Sequence, residues 1–320
     1  MTRLRRLVDT LWHESRPLTA TGIVMLAALV ASLAAMGVDH REILGVPRWL
    51  KPVKFAASTA IYAFTVAWIF TALPDWRRLK AIVGWVISVV VVLEVFLIDL
   101  QAARGVTSHF NVGTGFDAAV FGIMGTAILI AWAAGIALTV ALFRQWFDDR
   151  GFGWALRLGM VITLMGQATG GLMTTPTAAQ REAARTSRIT VAGAHTVGAP
   201  DGGPGLPVTG WSREHGDIRV AHFVGLHAVQ LLPLGAWLVG PLGSAAKRRR
   251  AVLLMAASYF ALFAILLAQA LAGQALLQPQ GSIAIAFGAW AIAAMAGAVF
   301  ITAARRSSAT GPAFRVAVSR

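Results

Sequence analysis

The chain has 320 residues, 57% hydrophobic and only 13% charged, with a formal charge of +14 and no cysteine. Soluble domains carry about 25% charged residues, so the composition points to a membrane protein, and the missing thiols exclude disulfides, iron–sulfur clusters, thiolate zinc sites and cysteine nucleophiles. The bases stand in short clusters between apolar runs, a pattern that suits lipid headgroups and membrane topology and argues against nucleic acid as a partner.

In chain order, a polar, basic segment runs through Pro17 and is followed by the first apolar run, 18–38. At about 20 residues this run exceeds the roughly 7–15 of a signal-peptide core. It reads as an uncleaved first span, with cleavage after Ala34-Ala35 as the alternative. Further spans are expected over 53–73, 81–100, 118–141, 154–174, 220–239, 251–271 and 283–303. Each is long enough to cross a hydrocarbon core of about 30 Å. The expected fold is all-α: a polytopic integral membrane helix bundle, about eight transmembrane helices in a single membrane domain.

With the N-terminus cytoplasmic, eighteen of the 28 Lys and Arg residues fall on inside segments. The densest group is Lys247, Arg248, Arg249 and Arg250, and the last is Arg305, Arg306, Arg315 and Arg320. This bias predicts a plasma-membrane protein with both termini in the cytoplasm. One connection runs the other way, with Arg41, Arg48, Lys51 and Lys54. Either these side chains snorkel at a span end, or Trp49-Leu50-Lys51-Pro52-Val53-Lys54 shapes an outer-face site for an anion.

The loop over 176–219 is long for a connection inside a compact domain. Thr177 is a plausible N-cap for a short helix over 177–188. Turn-forming Gly and Pro follow from Asp201 to Pro207, then Trp211 and His215. With Trp, Ile and Val present, the loop is expected to fold as a cap over the outer face instead of remaining a disordered linker.

Ionisable and strongly polar residues are costly inside a span and so are functional candidates. The third span carries Glu94 and Asp99 and ends at Gln101. The fifth carries Gln167 inside the small-residue pattern from Gly166 to Gly170, which permits close helix approach. The sixth carries His222, His227, Gln230 and Pro233, and the seventh Gln269. Counting about 1.5 Å per residue puts Glu94, His227 and Gln167 roughly 10 Å below the outer surface. His109, His222, Asp99, Asp117 and Lys54 fall at the outer mouth, while the inner halves hold little beyond hydroxyls such as Ser88 and Thr163.

These positions predict an outer-facing polar cavity lined by Asp99, Gln101, Gln167, Gln230 and Lys54. Glu94 and His227 would handle protons. Arg104 with His109-Phe110 and Arg219 with His222-Phe223 echo one another. In that echo His109 and His222 would ligate haem b iron while Arg104 and Arg219 clamp an anion such as its propionates. The plainer reading makes the glutamines helix glue and Glu94 a protonated, hydrogen-bonded side chain. No other metal site is assigned. The zincin, nucleophile-elbow and Walker A motifs are absent, and the scattered methionines read as packing. Besides binding or redox chemistry in the cavity, a permease for a small polar or anionic solute and a structural or assembly subunit of a membrane complex are the competing classes.

Overall fold

The computed structural model describes residues 3–240 and 244–309; Arg315 and Arg320, counted above among the terminal bases, lie outside them. The order is α1 (Arg3–Glu14), α2 (Arg16–Val38), β1 (Glu42–Ile43), β2 (Val46–Pro47) and α3 (Leu50–Ile69), which a 3-10 turn extends over Phe70–Ala72. Then come α4 (Arg77–Arg104), α5 (Gly115–Arg144), α6 (Arg150–Thr174), α7 (Ala178–Ala183), β3 (Thr196–Val197) and β4 (Gly216–Asp217). The chain continues through α8 (Ile218–Leu226), α9 (Ala228–Leu238), α10 (Ala245–Leu271) and α11 (Gly281–Ala309). The end of the bundle that carries the connection between α6 and α8 is termed the loop face, and the opposite end the terminal face.

Among the described residues six helices, α2, α3 with its 3-10 extension, α4, α5, α10 and α11, are long and apolar enough to cross a membrane. The α8–α9 pair, bent by 47°, makes seven if it is one broken span. The expected eight is therefore not reached. The shortfall is α6, which has 25 residues but includes six glycines with Thr163, Gln167 and Thr169, so it falls short in apolarity. It is sheltered by α5, α8, α9 and α10, which pack around it. A helix surrounded by protein does not need an apolar face toward lipid.

Side-chain caps begin most of the long helices. The Ser15 hydroxyl accepts from the Leu18 N–H and precedes Pro17, Thr114 accepts from Asp117, Asp149 from Gly151 and Phe152, and Ser244 from Lys247. Each cap satisfies N–H groups that a helix start leaves free. Gly105, at φ 77°, ends α4 in the left-handed conformation that glycine adopts without steric cost.

The main apolar core lies toward the terminal face. It joins Leu18 of α2, Ile69 and Phe70, Ile87 of α4, Leu138 and Leu142 of α5, Leu156 and Met160 of α6, and Val229 of α9. Because lipid is as apolar as these side chains, they hold the bundle by van der Waals packing more than by escape from water. α11 sits at the margin against α10, where the Trp290 indole N–H donates to the Ser258 carbonyl at 2.9 Å.

Two features of the expected layout differ. The polar N-terminal segment forms the amphipathic helix α1. The expected sixth span is broken at His227 into α8 and α9, while Pro233 stays inside α9. The break is tolerated because Thr163 of α6 serves the freed backbone: its hydroxyl accepts from the Val229 N–H at 3.2 Å and lies 3.4 Å and 3.3 Å from the Gly225 and Leu226 carbonyls.

Candidate functional site

The connection over 105–114 does not simply cap the end of α4. It folds back so that His109 reaches Glu94, ten residues inside the helix end, with Nε2 3.4 Å from Glu94 Oε1. Phe110, at φ 65°, takes the left-handed conformation that bulky residues avoid, and its ring is buried. Both features follow from the long loop, which holds this connection in place. The Ala192 N–H donates to the Phe110 carbonyl at 2.8 Å, and the Val112 N–H to the Thr190 carbonyl at 2.9 Å.

On the other side of His109, Lys51 Nζ lies 2.9 Å from Nδ1, and Ser108 Oγ stands 3.1 Å from the same nitrogen. With Lys51 in its ammonium form, which has no acceptor capacity, Nδ1 accepts and the imidazole proton lies on Nε2, on the side of Glu94. Burial first, and the neighbouring Lys51 charge second, push the His109 pKa down to about 4. The ring is thus neutral at neutral pH, as that tautomer requires. Phe55, Phe110 and Phe121 surround the imidazole with ring centroids 5.9, 6.1 and 6.5 Å away. Lys51 also lies 5.6 Å from the Phe55 ring centre, a cation–π contact. The result is a line of lysine, histidine and glutamate side chains in an apolar sleeve. Glu94 is buried, and its Oε2 has no hydrogen-bond partner among the described residues.

The cap above this line is folded. Thr177 and Gln180 form a capping box at the start of α7, which is shorter than the expected 177–188. β3 pairs antiparallel with β4, Thr196 opposite Asp217. Asp201 accepts from the His195 and Thr196 N–H groups at 3.0 and 2.9 Å and pairs with His195 Nδ1 at 2.9 Å. Burial alone would raise the Asp201 pKa, but the hydrogen bond from His195 holds it well below the usual carboxylate range. Burial lowers that of His195. The His195 ring lies 4.8 Å from that of Phe110, which joins the cap to the His109 sleeve.

The remaining expected site residues are engaged separately and do not line one common cavity. Gln101 donates to Asp117 at 2.9 Å, and Arg104 bonds both Gln101 and Asp117, locking the end of α4 to the start of α5. Arg219 pairs with Asp217 at 2.6 Å and donates to the Gly210 carbonyl at 2.6 Å. Lys54 donates to the Thr209 carbonyl at 3.0 Å. These three cations strap helix ends and loop. Arg104 and Arg219 already hold carboxylates, so neither stands ready as an anion clamp.

His222 directs Nδ1 to the Gly166 carbonyl at 2.8 Å, within the α6–α8 seam. Gln167 interacts with Tyr62. Gln230 donates to Thr65 at 3.3 Å, and since Thr65 is fifteen residues into α3, Gln230 lies deeper than its expected place in the outer half. Asp99 is half-buried and its Oδ1 has no partner among the described residues. His227 stands at the α8–α9 break beside the Phe223 ring, with no side-chain hydrogen bond among the described residues. The partner of Glu94 is His109, not His227.

Haem binding fits these residues poorly. Both ring nitrogens of His109 face protein groups, and no group of three or more His, Cys, Asp or Glu side chains suited to a metal ion occurs among the described residues. Ser108, His195 and Asp201 are members of the assembly with no site role expected from the sequence, whereas Lys51 is expected only within the anion-site reading of 49–54. The spacing of Lys51 and Lys54 on one helix face was the available signal for Lys51. The positive charge of the first connection is otherwise largely internal, because Asp39 pairs with both Arg41 and Arg48. No protein-family model, curated protein or solved structure matches this chain.

Proposed function

We propose that the protein is a proton-coupled permease of the plasma membrane for a small polar or anionic solute, with the loop face outside and both termini in the cytoplasm. The observation that carries this reading is the Lys51–His109–Glu94 line. A neutral imidazole between an ammonium and a buried carboxylate passes a proton by accepting at one nitrogen and releasing at the other. The α8–α9 break, served by Thr163 halfway along α6, adds a discontinuous helix of the kind that transporters place at mid-membrane.

The test is reconstitution into vesicles carrying an internal pH indicator, challenged with a panel of small carboxylates, phosphate and neutral polyols. Proton movement that depends on one class of solute and disappears in Glu94→Gln supports the proposal. Infrared difference spectra recorded on solute addition should show a carboxyl band that is missing from the same variant. A bound solute with no accompanying proton movement would overturn the permease reading, and a difference spectrum without a Glu94 band would overturn the relay.

A further inference from the structure

α1 carries its charge and its apolar surface on different sides. At about 100° per residue, Leu7, Val8, Leu11 and Trp12 share one arc, and Arg5, Arg6, Asp9, Thr10 and His13 the other. Within the apolar arc only Leu11 is buried, at 5% exposure, joining the terminal-face core with Phe70 and Leu73. Leu7, Val8 and Trp12 remain 50%, 39% and 43% exposed. The helix is pinned at its C-terminal end, where Glu14 Oε2 meets Lys80 Nζ at 2.6 Å and Lys80 also donates to the Phe70 carbonyl at 3.3 Å. Ser15 and Pro17 then start α2.

We propose that α1 lies along the surface of the leaflet at the terminal face and binds acidic phospholipid. Leu7, Val8 and Trp12 enter the boundary between headgroups and acyl chains, and Arg5 and Arg6 meet the headgroup phosphates. Charge complementarity selects this occupant. Arg5 borders the exposed apolar strip beside Trp12, and Arg6 stands on the polar side of the helix with His13. A short helix with a strongly divided surface and a tryptophan on its apolar side is suited to an interface and too polar to enter the bilayer core. The position is fixed by the six apolar helices, since the pinned end of α1 sits where α2 and α4 begin. The inference rests on the membrane-embedded reading and not on the proton relay.

Because the chain has no cysteine, single spin labels can be placed on the full-length protein without background. Leu7→Cys, Val8→Cys and Asp9→Cys would be labelled and reconstituted in phosphatidylcholine vesicles with and without phosphatidylglycerol. Labels at 7 and 8 should collide more with oxygen than with a water-soluble nickel chelate, and the label at 9 should do the reverse. Phosphatidylglycerol should widen that contrast, and Arg5→Gln with Arg6→Gln should narrow it again. Equal nickel access at all three positions would overturn surface burial. A contrast insensitive both to phosphatidylglycerol and to the arginine substitutions would overturn acidic-lipid recognition. Neither result depends on solute-driven proton movement, so failure here is distinguishable from failure of the permease proposal.

Discussion

Gly166 of α6 and Gly225 of α8 meet backbone to backbone: a Cβ added to Gly166 would lie 2.6 Å from Gly225 Cα, and one added to Gly225 would lie 2.5 Å from Gly166 Cα. Neither helix can carry a side chain there without moving apart. Gly166→Ala or Gly225→Ala should each cost about 1–3 kcal/mol through overpacking, measured by thermal unfolding of detergent-solubilised protein. Gly122→Ala and Gly125→Ala are the controls, since nothing lies within 4 Å of an added Cβ at either position. There the better helix propensity of alanine should leave stability unchanged or raise it by up to ~1 kcal/mol.

Thr163 supports the α8–α9 break with one hydroxyl. Thr163→Val keeps the shape and removes the acceptor for the Val229 N–H, so a loss of about 1–3 kcal/mol is expected from a buried donor left unpaired. Thr163→Ser restores the hydroxyl and should recover most of that loss. Equal stability of Thr163→Val and the unmodified protein in denaturant unfolding would show that the break needs no such support.

Acid should weaken the loop-face assembly. The His109 pKa is held at about 4 in the fold, below the ~6.5 of a free imidazole, so between these values the unfolded chain binds more protons than the folded one. Stability therefore rises with pH across that window and is lost as pH falls from 6.5 toward 4. Melting temperatures measured from pH 7.5 down to 5 should fall. His109→Gln should flatten the dependence without abolishing it, because burial shifts His195 in the same direction.

Asp201 organises the start of the β3–β4 segment through three donors from His195 and Thr196. Asp201→Asn removes the charge, and each bond to a charged acceptor contributes about 1.5–3 kcal/mol. Local opening of the cap becomes easier, and cleavage by added protease follows the open population. Limited proteolysis should therefore cut within 190–217 faster in the variant, while fragments from the apolar helices stay unchanged.

How much of this was legible depends on whether the signal was local. Apolar runs such as 18–38 and 118–141 lie inside α2 and α5, because about twenty apolar residues in sequence need no distant partner to mark a helix. From sequence α6 reads as an ordinary span, since its glycines and glutamine acquire meaning only from the helices around it. α1 stands out less in the sequence, because its charged residues hide an apolar arc that only the helical period reveals. In the site, Glu94 was recognisable as a carboxylate in a span, but its partner was not. His109 lies in a connection whose reversal depends on loop residues some eighty positions later, and Lys51 is 58 residues away from His109. Depth counted along separate helices could not anticipate a connection that turns back into the bundle.

The limited apolarity of α6 bears on how the chain enters a bilayer. α6 is followed by a connection of 43 residues before α8 is made, and its close-approach positions, Gly159 and Gly166, face α9 and α8 respectively. Until those helices emerge from the ribosome, α6 has glycines and Gln167 turned toward lipid and weak reason to stay inserted. Its packing among those helices is thus a late event, completed when the second half of the chain arrives. Truncation after the cap should leave a fragment in which α2 to α5 are inserted and α6 is not.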